Sequence, residues 1–459
     1  MIAPNQELPG VSGRSSIAIC GGGVGAIEAL LAVRALLGLA AHVDLVAPNR
    51  RFVYEPLAVA EPFGLARTRG FDLATVAAEY GAQLHVASLE AVEGNEHRIA
   101  ISGGTRLPYD RLIVAVGARR CSWLPGALQF TGAADVASFS ALLAQLERGE
   151  LMRLAFAAPS GAGWTLPVYE LALLTASRVA DRHMTEIELA IVTPEREPLE
   201  SFGPAASRAM RGVLSDRGIR LHVDDTAERI DPNRLALASG ATIAVDRVVA
   251  LPRLEGPRLT GLPADQAGFI RIDEHARVIE LDDVYAAGDA TDYPVKQGGI
   301  TTQQVDAAVE AIAASLGVGT NPSAFQPVLR GMLLTGVAPT YLRAAVGDQP
   351  EGEGELAAEP LWWPPTKIAG RYLGPYLAHA ADEGAIAQPE RDATGADPTE
   401  TQAGHREARE LALTFALADA NSDDYESALR WLEVVEQLDG VLPAGYAEKR
   451  AQWRQRVQR

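Results

Sequence analysis

The sequence of 459 residues predicts an α/β fold built on two βαβ units, with a C-terminal segment and a small helical tail. Residues 17–47 and residues 153–193 each have the pattern of an apolar strand, a glycine-rich turn, an amphipathic helix and a second strand. After residue 380 the composition changes, because an acidic stretch precedes residues with helical spacing. These three observations predict the fold class.

Composition limits the function classes. The chain has 59 acidic and 41 basic residues and a net charge of −18, so nucleic acid is not an expected partner and contact with a membrane surface is not favoured. Two cysteines exclude a disulfide framework, and the eight histidines lack metal-ligand spacing, so no metal site is expected. No apolar run reaches the about 18 residues of a membrane span, and the first residues lack a signal core. We therefore expect a cytoplasmic protein.

In the first unit, residues 17–20 and 42–47 are strands, and a helical pattern runs from about residue 27 to residue 37. Gly38 follows the last apolar position, where a helix is expected to end. The turn at residues 21–26 (GGGVGA) matches the form G-x-G-x-x-G/A between a strand and a helix. This context favours a Rossmann-like, dinucleotide-binding unit over a plain tight turn.

Each small residue of this turn has a physical role. Gly21 allows the sharp bend, Gly23 lets the backbone approach a pyrophosphate, and Ala26 lets helix and strand pack closely. An acid usually grips a ribose after the second strand, but here Ala47 is followed by Pro48, then Asn49 and Arg50. The ribose is then expected on Asn49, Arg50 or backbone groups.

The second unit joins a strand at residues 153–157 to a strand at residues 188–193. Farther along, residues 284–289 (VYAAGD) are followed by a predicted helix at residues 301–316. Residues 382–400 hold six acids and one Arg with few large apolar side chains, which predicts a disordered linker. The amphipathic helices beyond it predict either a plain helical hairpin or a single tetratricopeptide-like unit.

Residues 17–26 (IAICGGGVGA), 107–117 (LPYDRLIVAVG), 284–289 (VYAAGD) and 295–299 (VKQGG) together resemble a known family. The chain is similar to the FAD-dependent pyridine nucleotide-disulfide oxidoreductases over about residues 15–380. The most similar branch contains sulfide:quinone oxidoreductases, flavocytochrome c sulfide dehydrogenases and type II NADH dehydrogenases.

The resemblance implies a domain organisation. A discontinuous FAD-binding domain would receive an inserted second Rossmann-like domain, and a C-terminal segment would cap the flavin or form an interface. The implied ranges are 15–145 and 265–320 for the FAD-binding domain, 150–255 for the second domain, 321–380 for the C-terminal segment, 381–404 for an acidic linker and 405–459 for the helical tail.

The resemblance also implies a cofactor site. Asp289 would hold the ribityl chain of FAD, and Lys296 with Gln297 would lie at the flavin N1/O2 edge, where reduced flavin is anionic and a cation stabilises it. Residues 54–57 (YEPL) would lie near the isoalloxazine and Ala87 near the adenine. The expected cofactor-binding set is Gly21, Gly23, Gly25, Ala26, Asn49, Arg50, Ala87, Gly117, Gly288, Asp289, Lys296 and Gln297.

The second glycine turn departs from the family's nicotinamide-binding pattern. Trp164 follows Gly163 and would crowd a pyrophosphate, Leu166 occupies the third small position, and Pro167 lacks an N–H. This predicts a second domain that has lost nicotinamide binding, although Glu195 remains as an acid for the ribose.

The cysteines do not supply the redox pair of sulfide oxidation. Cys20 lies in the first strand and is expected in the core, and Cys121, beside Arg119 and Arg120, has no resolving partner near it in sequence.

The predicted function is an FAD-dependent oxidoreductase that passes two electrons from a small donor to a quinone-like or other acceptor. A type II NAD(P)H:quinone oxidoreductase and a non-enzymatic binding module are the alternatives. Aromatic and apolar residues in the stretches 361–367, 372–373 and 376–377 would wall a quinone pocket or, as an alternative, form core or homodimer packing. The helical tail is a candidate surface for a protein partner.

Overall fold

The computed structural model describes residues 15–319, 322–346 and 354–378, scattered positions from 413 to 443, and residues 445–457. The chain divides into two units, Met1–Glu383 and Gly384–Arg459, and each is considered by itself. The predicted linker at residues 382–400 lies outside the described residues.

A five-stranded parallel sheet carries the first glycine turn. Its strands, in spatial order, are Val284–Ala286, Arg111–Val114, Ser16–Cys20, His42–Ala47 and Gln83–Val86. Helices Val24–Leu37 and Gly298–Ser315 pack against each other beside this sheet, and Leu73–Glu79 is a further short helix. Apolar side chains of sheet and helices form one buried core.

A second five-stranded parallel sheet follows the same plan. Its strands, in spatial order, are Leu128–Gln129, Arg247–Ala250, Arg153–Ala157, Glu188–Val192 and Ile219–His222. Its helices are Val136–Glu147, Leu166–Asp181 and Pro204–Asp216. Both faces of such a sheet are covered, which is why its strands are nearly continuous apolar runs.

Shorter antiparallel strands connect and extend the two sheets. Arg119–Cys121 pairs with Arg253–Glu255 where the chain passes from the first sheet to the second and back. The remaining strands are Arg51–Tyr54 with Arg69–Asp72, Leu89–Glu93 with Arg98–Ile101 and Thr105–Pro108, and Ala227–Asp231 with Arg234–Leu237 and Thr242–Ala244.

The C-terminal segment of this unit begins with an antiparallel sheet of Val328–Leu333, Thr340–Ala345 and Glu355–Ala357. Residues 373–378 are helical, and Leu373 and Leu377 are buried in the core of the first sheet. In the second unit, Tyr446–Val457 is a helix whose Trp453 is buried with Ala428 and Leu432.

The predicted fold class is confirmed, because the two parallel sheets are present and the second is inserted before Val284–Ala286 returns to the first. Both helices of the first sheet begin three residues earlier than predicted, since their first turns contain glycines that carry no apolar side chain. The strand Leu128–Gln129 lies in the predicted range 15–145 yet joins the second sheet. The domain boundaries themselves stay predictions.

Candidate functional site

The first glycine turn has the geometry that its sequence predicts. Gly21 has φ of 144°, and a Cβ there would lie 2.2 Å from the Ala115 carbonyl oxygen. Gly23, by contrast, faces open space within 4 Å and stands directly before the helix Val24–Leu37. The turn therefore leaves a helix N-terminus with free N–H groups open to an anion.

Gly25 and Ala26 provide close packing rather than access. A Cβ on Gly25 would approach Thr301 Cγ2 to 2.9 Å and Ala115 Cβ to 3.1 Å, so glycine lets the two helices of the first sheet meet. Ala26 is fully buried.

The carboxyl ends of the neighbouring strands bring other predicted residues to the same edge. Ala87 N–H donates to the Ala47 carbonyl at 3.0 Å, which joins the ends of two strands. Asn49 and Arg50 are exposed just beyond, and Gly117 has φ of 73° with open space beside it. In parallel α/β sheets, nucleotides bind in the crevice outside these strand ends.

A cavity of about 520 Å³ lies between the elements of the two sheets and the C-terminal segment. Glu55, Pro56, Trp164, Asp289, Lys296, Gln297, Arg330, Lys367 and Ile368 are among the residues that line it. Three of the predicted site residues therefore share this cavity. A cavity of this size with mixed apolar and charged walls is typical of a small-molecule or cofactor site.

Asp289 presents an unsatisfied carboxylate to the cavity. Among the residues that the structure describes, none donates a hydrogen bond to it. Burial raises the pKa of Asp289, while Lys296 and Arg120 act in the opposite direction. Gly288 has φ of 77° and packs on Thr301, which fixes the turn. A half-buried carboxylate that faces the cavity without a protein donor can accept hydrogen bonds from a ligand, so this position suits a ligand hydroxyl.

Lys296 lines the cavity but is anchored to the backbone. Its Nζ donates to the Thr291 carbonyl oxygen, lies 3.5 Å from the Asp289 carbonyl oxygen, and sits 3.8 Å from the centre of the Phe269 ring. Burial lowers the pKa of Lys296 to about 8, and Asp289 and neighbouring carboxylates oppose that shift.

Gln297 shapes the start of the helix Gly298–Ser315. Its Oε1 accepts from Ile300 N–H at 2.9 Å and its Nε2 donates to the Arg330 carbonyl at 3.0 Å. Because Gln297 and Gly298 line the cavity, the positive end of this helix borders it.

The second glycine turn lines the cavity, and its two glycines differ: Gly161 has open space beside it, whereas Gly163 is packed against the chain. A Cβ on Gly163 would lie 2.5 Å from the Pro294 carbonyl oxygen and 2.6 Å from Lys296 Cγ. The Lys296 N–H donates to the Gly163 carbonyl at 3.1 Å. Trp164 packs edge-on against Phe202, with ring centres 5.8 Å apart, and lines the cavity.

The carboxylate of Glu195, which the sequence offers as a ligand for a ribose, already has hydrogen-bond donors from this chain. Glu195 is buried, and its carboxylate accepts from the hydroxyls of Tyr169 at 2.5 Å, Thr193 at 2.8 Å and Thr165 at 2.9 Å. Burial raises its pKa.

A buried ion pair that sequence reasoning missed crosses from the second domain to the C-terminal segment. Lys367 Nζ lies 2.6 and 2.7 Å from the two carboxylate oxygens of Glu170, and both residues line the cavity. Leu334 N–H donates to the same carboxylate at 2.9 Å. No local spacing could have revealed a pair separated by 197 residues.

The other predicted segments divide between cavity and core. Tyr54 is buried and its hydroxyl accepts from Ile368 N–H at 3.0 Å, whereas Glu55 and Pro56 line the cavity. Trp362 stacks edge-on with Tyr341 at 5.2 Å. The stretch around Leu373 and Leu377 is core packing, as one of the two interpretations predicts.

Both cysteines are free. Cys20 is fully buried, as predicted, and burial followed by the Asp44 carboxylate raises the pKa of its thiol. Cys121 is partly exposed in the strand that joins the two domains.

Fold and site thus define a protein with two nucleotide-type domains around one inter-domain cavity. Residues 15–314 match the pyridine nucleotide-disulphide oxidoreductase family, and the chain belongs to that family. It is therefore an oxidoreductase of a family that uses flavin and nicotinamide cofactors.

The chain is also similar in sequence to one relative and in fold to two solved structures. An NADH dehydrogenase-like protein of Mycobacterium tuberculosis is 26% identical over 279 residues, which cover 56% of this chain and 69% of that protein. The sulfide:quinone oxidoreductase of Aquifex aeolicus superimposes with a TM-score of 0.68 at 15% identity, over 81% of this chain and 91% of that one. A ferredoxin reductase of Rhodopseudomonas palustris superimposes with a TM-score of 0.57 at 16% identity, over 72% of this chain and 83% of that one. Within the described residues, none of the helices has the length and apolar character to span a membrane.

Proposed function

We propose that this chain is an FAD-dependent oxidoreductase that moves two electrons from a small donor to a quinone-like or other acceptor. The observation that carries the proposal is the Asp289 carboxylate, which lines the cavity without a protein donor. The open helix N-terminus behind Gly23 is a second independent feature that fits a dinucleotide.

Two groups of residues suit different parts of FAD. Gly21 and Gly23, at the first glycine turn, would admit the pyrophosphate, and Ala87, at the end of a neighbouring strand, would lie toward the adenine. Asp289, which lines the cavity while those three residues do not, would accept hydrogen bonds from the ribityl hydroxyls. FAD, when bound, supplies the two-electron chemistry. The chain's own contribution is electrostatic: the ammonium of Lys296 and the positive end of the helix Gly298–Ser315 favour negative charge at the cavity.

The second domain supports a donor other than a nicotinamide nucleotide. Gly163 is packed against Pro294 and Lys296, so of the two glycines in this turn only Gly161 has open space beside it for a pyrophosphate. Glu195 is buried and already accepts three hydroxyl hydrogen bonds from the chain, so a ribose would have to compete with them. Losing several charge-assisted hydrogen bonds of about 1.5–3 kcal/mol each would weaken binding by orders of magnitude.

An NAD(P)H:quinone oxidoreductase is the second candidate, because the Mycobacterium tuberculosis relative is called NADH dehydrogenase-like. One experiment separates the two: the flavin absorbance is recorded anaerobically while NADH, NADPH and sulfide are added in turn. We expect NADH and NADPH to bleach the flavin slowly or not at all. Fast, saturable bleaching at sub-millimolar NADH would favour the second candidate.

Cofactor binding itself is tested by Asp289→Asn, which keeps the size of the side chain and removes its charge. We expect purified wild-type protein to be yellow and the variant to retain a small fraction of the flavin. Asp282→Asn, at an exposed position nearby in sequence, is the control and should keep full flavin content. A colourless wild-type protein that takes up no FAD on reconstitution would refute the proposal.

A further inference from the structure

One cation of the cavity wall differs from the others. Arg330 lies on the strand Val328–Leu333, lines the cavity and is half-buried. Its backbone carbonyl is held by Gln297 Nε2 at 3.0 Å, which fixes this part of the strand at the helix N-terminus that borders the cavity.

The guanidinium of Arg330 has no protein acceptor among the residues that the structure describes. None of the carboxylates in the described ranges lies within ion-pair distance of it, and the residue directly across the sheet is a second cation, Arg343. Burial, and then the charge of Arg343, lower the pKa of Arg330. Arg343 has its own contact with Glu355 at 3.9 Å.

The other cationic side chains that line the cavity either contact a protein acceptor or are exposed to solvent. Lys367 is neutralised by Glu170, Lys296 is bound to backbone carbonyls, and Arg253 lies 3.4 Å from Glu255. Arg120 is exposed to water. Among the described residues that line the cavity, Arg330 is thus the partly buried cation without a protein acceptor, and a guanidinium in that position favours a planar anion such as a carboxylate.

The wall around Arg330 is apolar and partly aromatic. A Cβ on Gly331 would lie 2.6 Å from the Phe202 ring, so glycine lets the strand approach that ring. Trp164 packs edge-on against the same ring. Met332, two residues along the strand, and Trp164 both line the cavity. A ligand here would meet one positive charge beside flat apolar surface.

We propose that the small-molecule substrate of this cavity is an organic acid with an apolar or aromatic body, and that Arg330 binds its anionic group. This inference rests on the proposed oxidoreductase function and narrows its substrate class. Binding of the carboxylate form should exceed binding of its neutral amide by about tenfold to a hundredfold, the range that a charge-assisted hydrogen bond gives.

The test is calorimetric titration of the purified full-length protein, after its flavin content has been recorded. 2-Naphthoate and benzoate are compared with 2-naphthamide and benzamide, and inorganic phosphate is added as a separate arm. We expect saturable binding of the carboxylates, at least about tenfold weaker binding of the amides, and no competition by millimolar phosphate. Tight phosphate binding would overturn the inference in favour of a nucleotide phosphate site.

Two variants complete the test. Arg330→Gln should bind carboxylate and amide equally weakly, and Arg330→Lys should recover part of the preference. Arg343→Gln, across the same strands, should keep the wild-type preference and controls for the charge of the sheet. An unchanged preference in Arg330→Gln, or no carboxylate binding to wild-type protein, would overturn the inference. If the purified protein contains no flavin, that result counts against the proposed function. Carboxylate binding is measured independently of the flavin content, so the two failures can be told apart.

Discussion

Removal of Lys367 is the sharpest perturbation of the cavity wall. The Glu170 carboxylate is 1% exposed and the Lys367 side chain 7% exposed, with 2.6 Å between Nζ and the nearer oxygen. Lys367→Met keeps the aliphatic length and leaves Glu170 with one backbone donor, the Leu334 N–H. Breaking a buried ion pair at one partner costs about 3–5 kcal/mol, so we expect the free energy of unfolding to fall by about that amount at pH 8.

The pH dependence of this loss has a definite sign. Burial already raises the pKa of Glu170 and Lys367 opposes the shift, so removing Lys367 raises that pKa further. A carboxyl with a raised folded-state pKa stabilises the fold at low pH, and this stability is lost as the pH rises through that pKa. The cost of Lys367→Met should therefore be smaller at pH 5 than at pH 8.

Denaturant unfolding followed by far-UV circular dichroism measures these differences without relying on the flavin. The double variant Glu170→Gln with Lys367→Met should recover most of the loss, because a neutral pair leaves no uncompensated charge. The control is Arg148→Met, whose partner Glu150 is 52% exposed, and it should cost less than about 1 kcal/mol. A loss below about 1 kcal/mol for Lys367→Met at pH 8, or no recovery in the double variant, would refute this reasoning.

Two further predictions concern Asp306 and the two cysteines. Burial and the Glu28 carboxylate raise the pKa of Asp306 to about 8, so wild-type stability should fall as the pH rises toward 8. Asp306→Asn should remove that dependence and gain about 2 kcal/mol relative to wild type between pH 6 and pH 8, measured by denaturant unfolding at both values; parallel pH profiles would contradict it. Cys121→Ser and Cys20→Ser should leave flavin reduction and reoxidation rates unchanged in stopped-flow traces, and loss of turnover in Cys121→Ser with flavin still bound would restore a thiol mechanism.

Local sequence patterns predicted the sheets well, because buried parallel strands are short apolar runs between turn residues. The strands His42–Ala47 and Arg153–Ala157 have the predicted bounds. The helix starts were placed late, since periodicity depends on apolar side chains and the first turns contain glycine. Strand ends were therefore more predictable than helix N-termini, which are the parts that border ligands.

The site was predicted only where one short motif carries the chemistry. Asp289, Lys296 and Gln297 do line one cavity. The hydroxyl partners of Glu195 come from a strand end and a helix start that no spacing rule connects, so the sequence did not show that this acid has partners within the chain. Arg330 and the pair of Glu170 with Lys367 depend on contacts between distant parts of the chain, which a single sequence does not display.

The backbone hydrogen bond from Lys296 N–H to the Gly163 carbonyl shows that Gly163 also has a packing role. In a nucleotide-binding turn, glycine is retained so that a phosphate can approach; here a Cβ would instead push the second turn away from Pro294 and Lys296. The packing against Pro294 and Lys296 therefore requires glycine at position 163 whether or not a nucleotide binds at this turn. A glycine motif that survives in a family member is thus no proof of the ligand for which it first evolved.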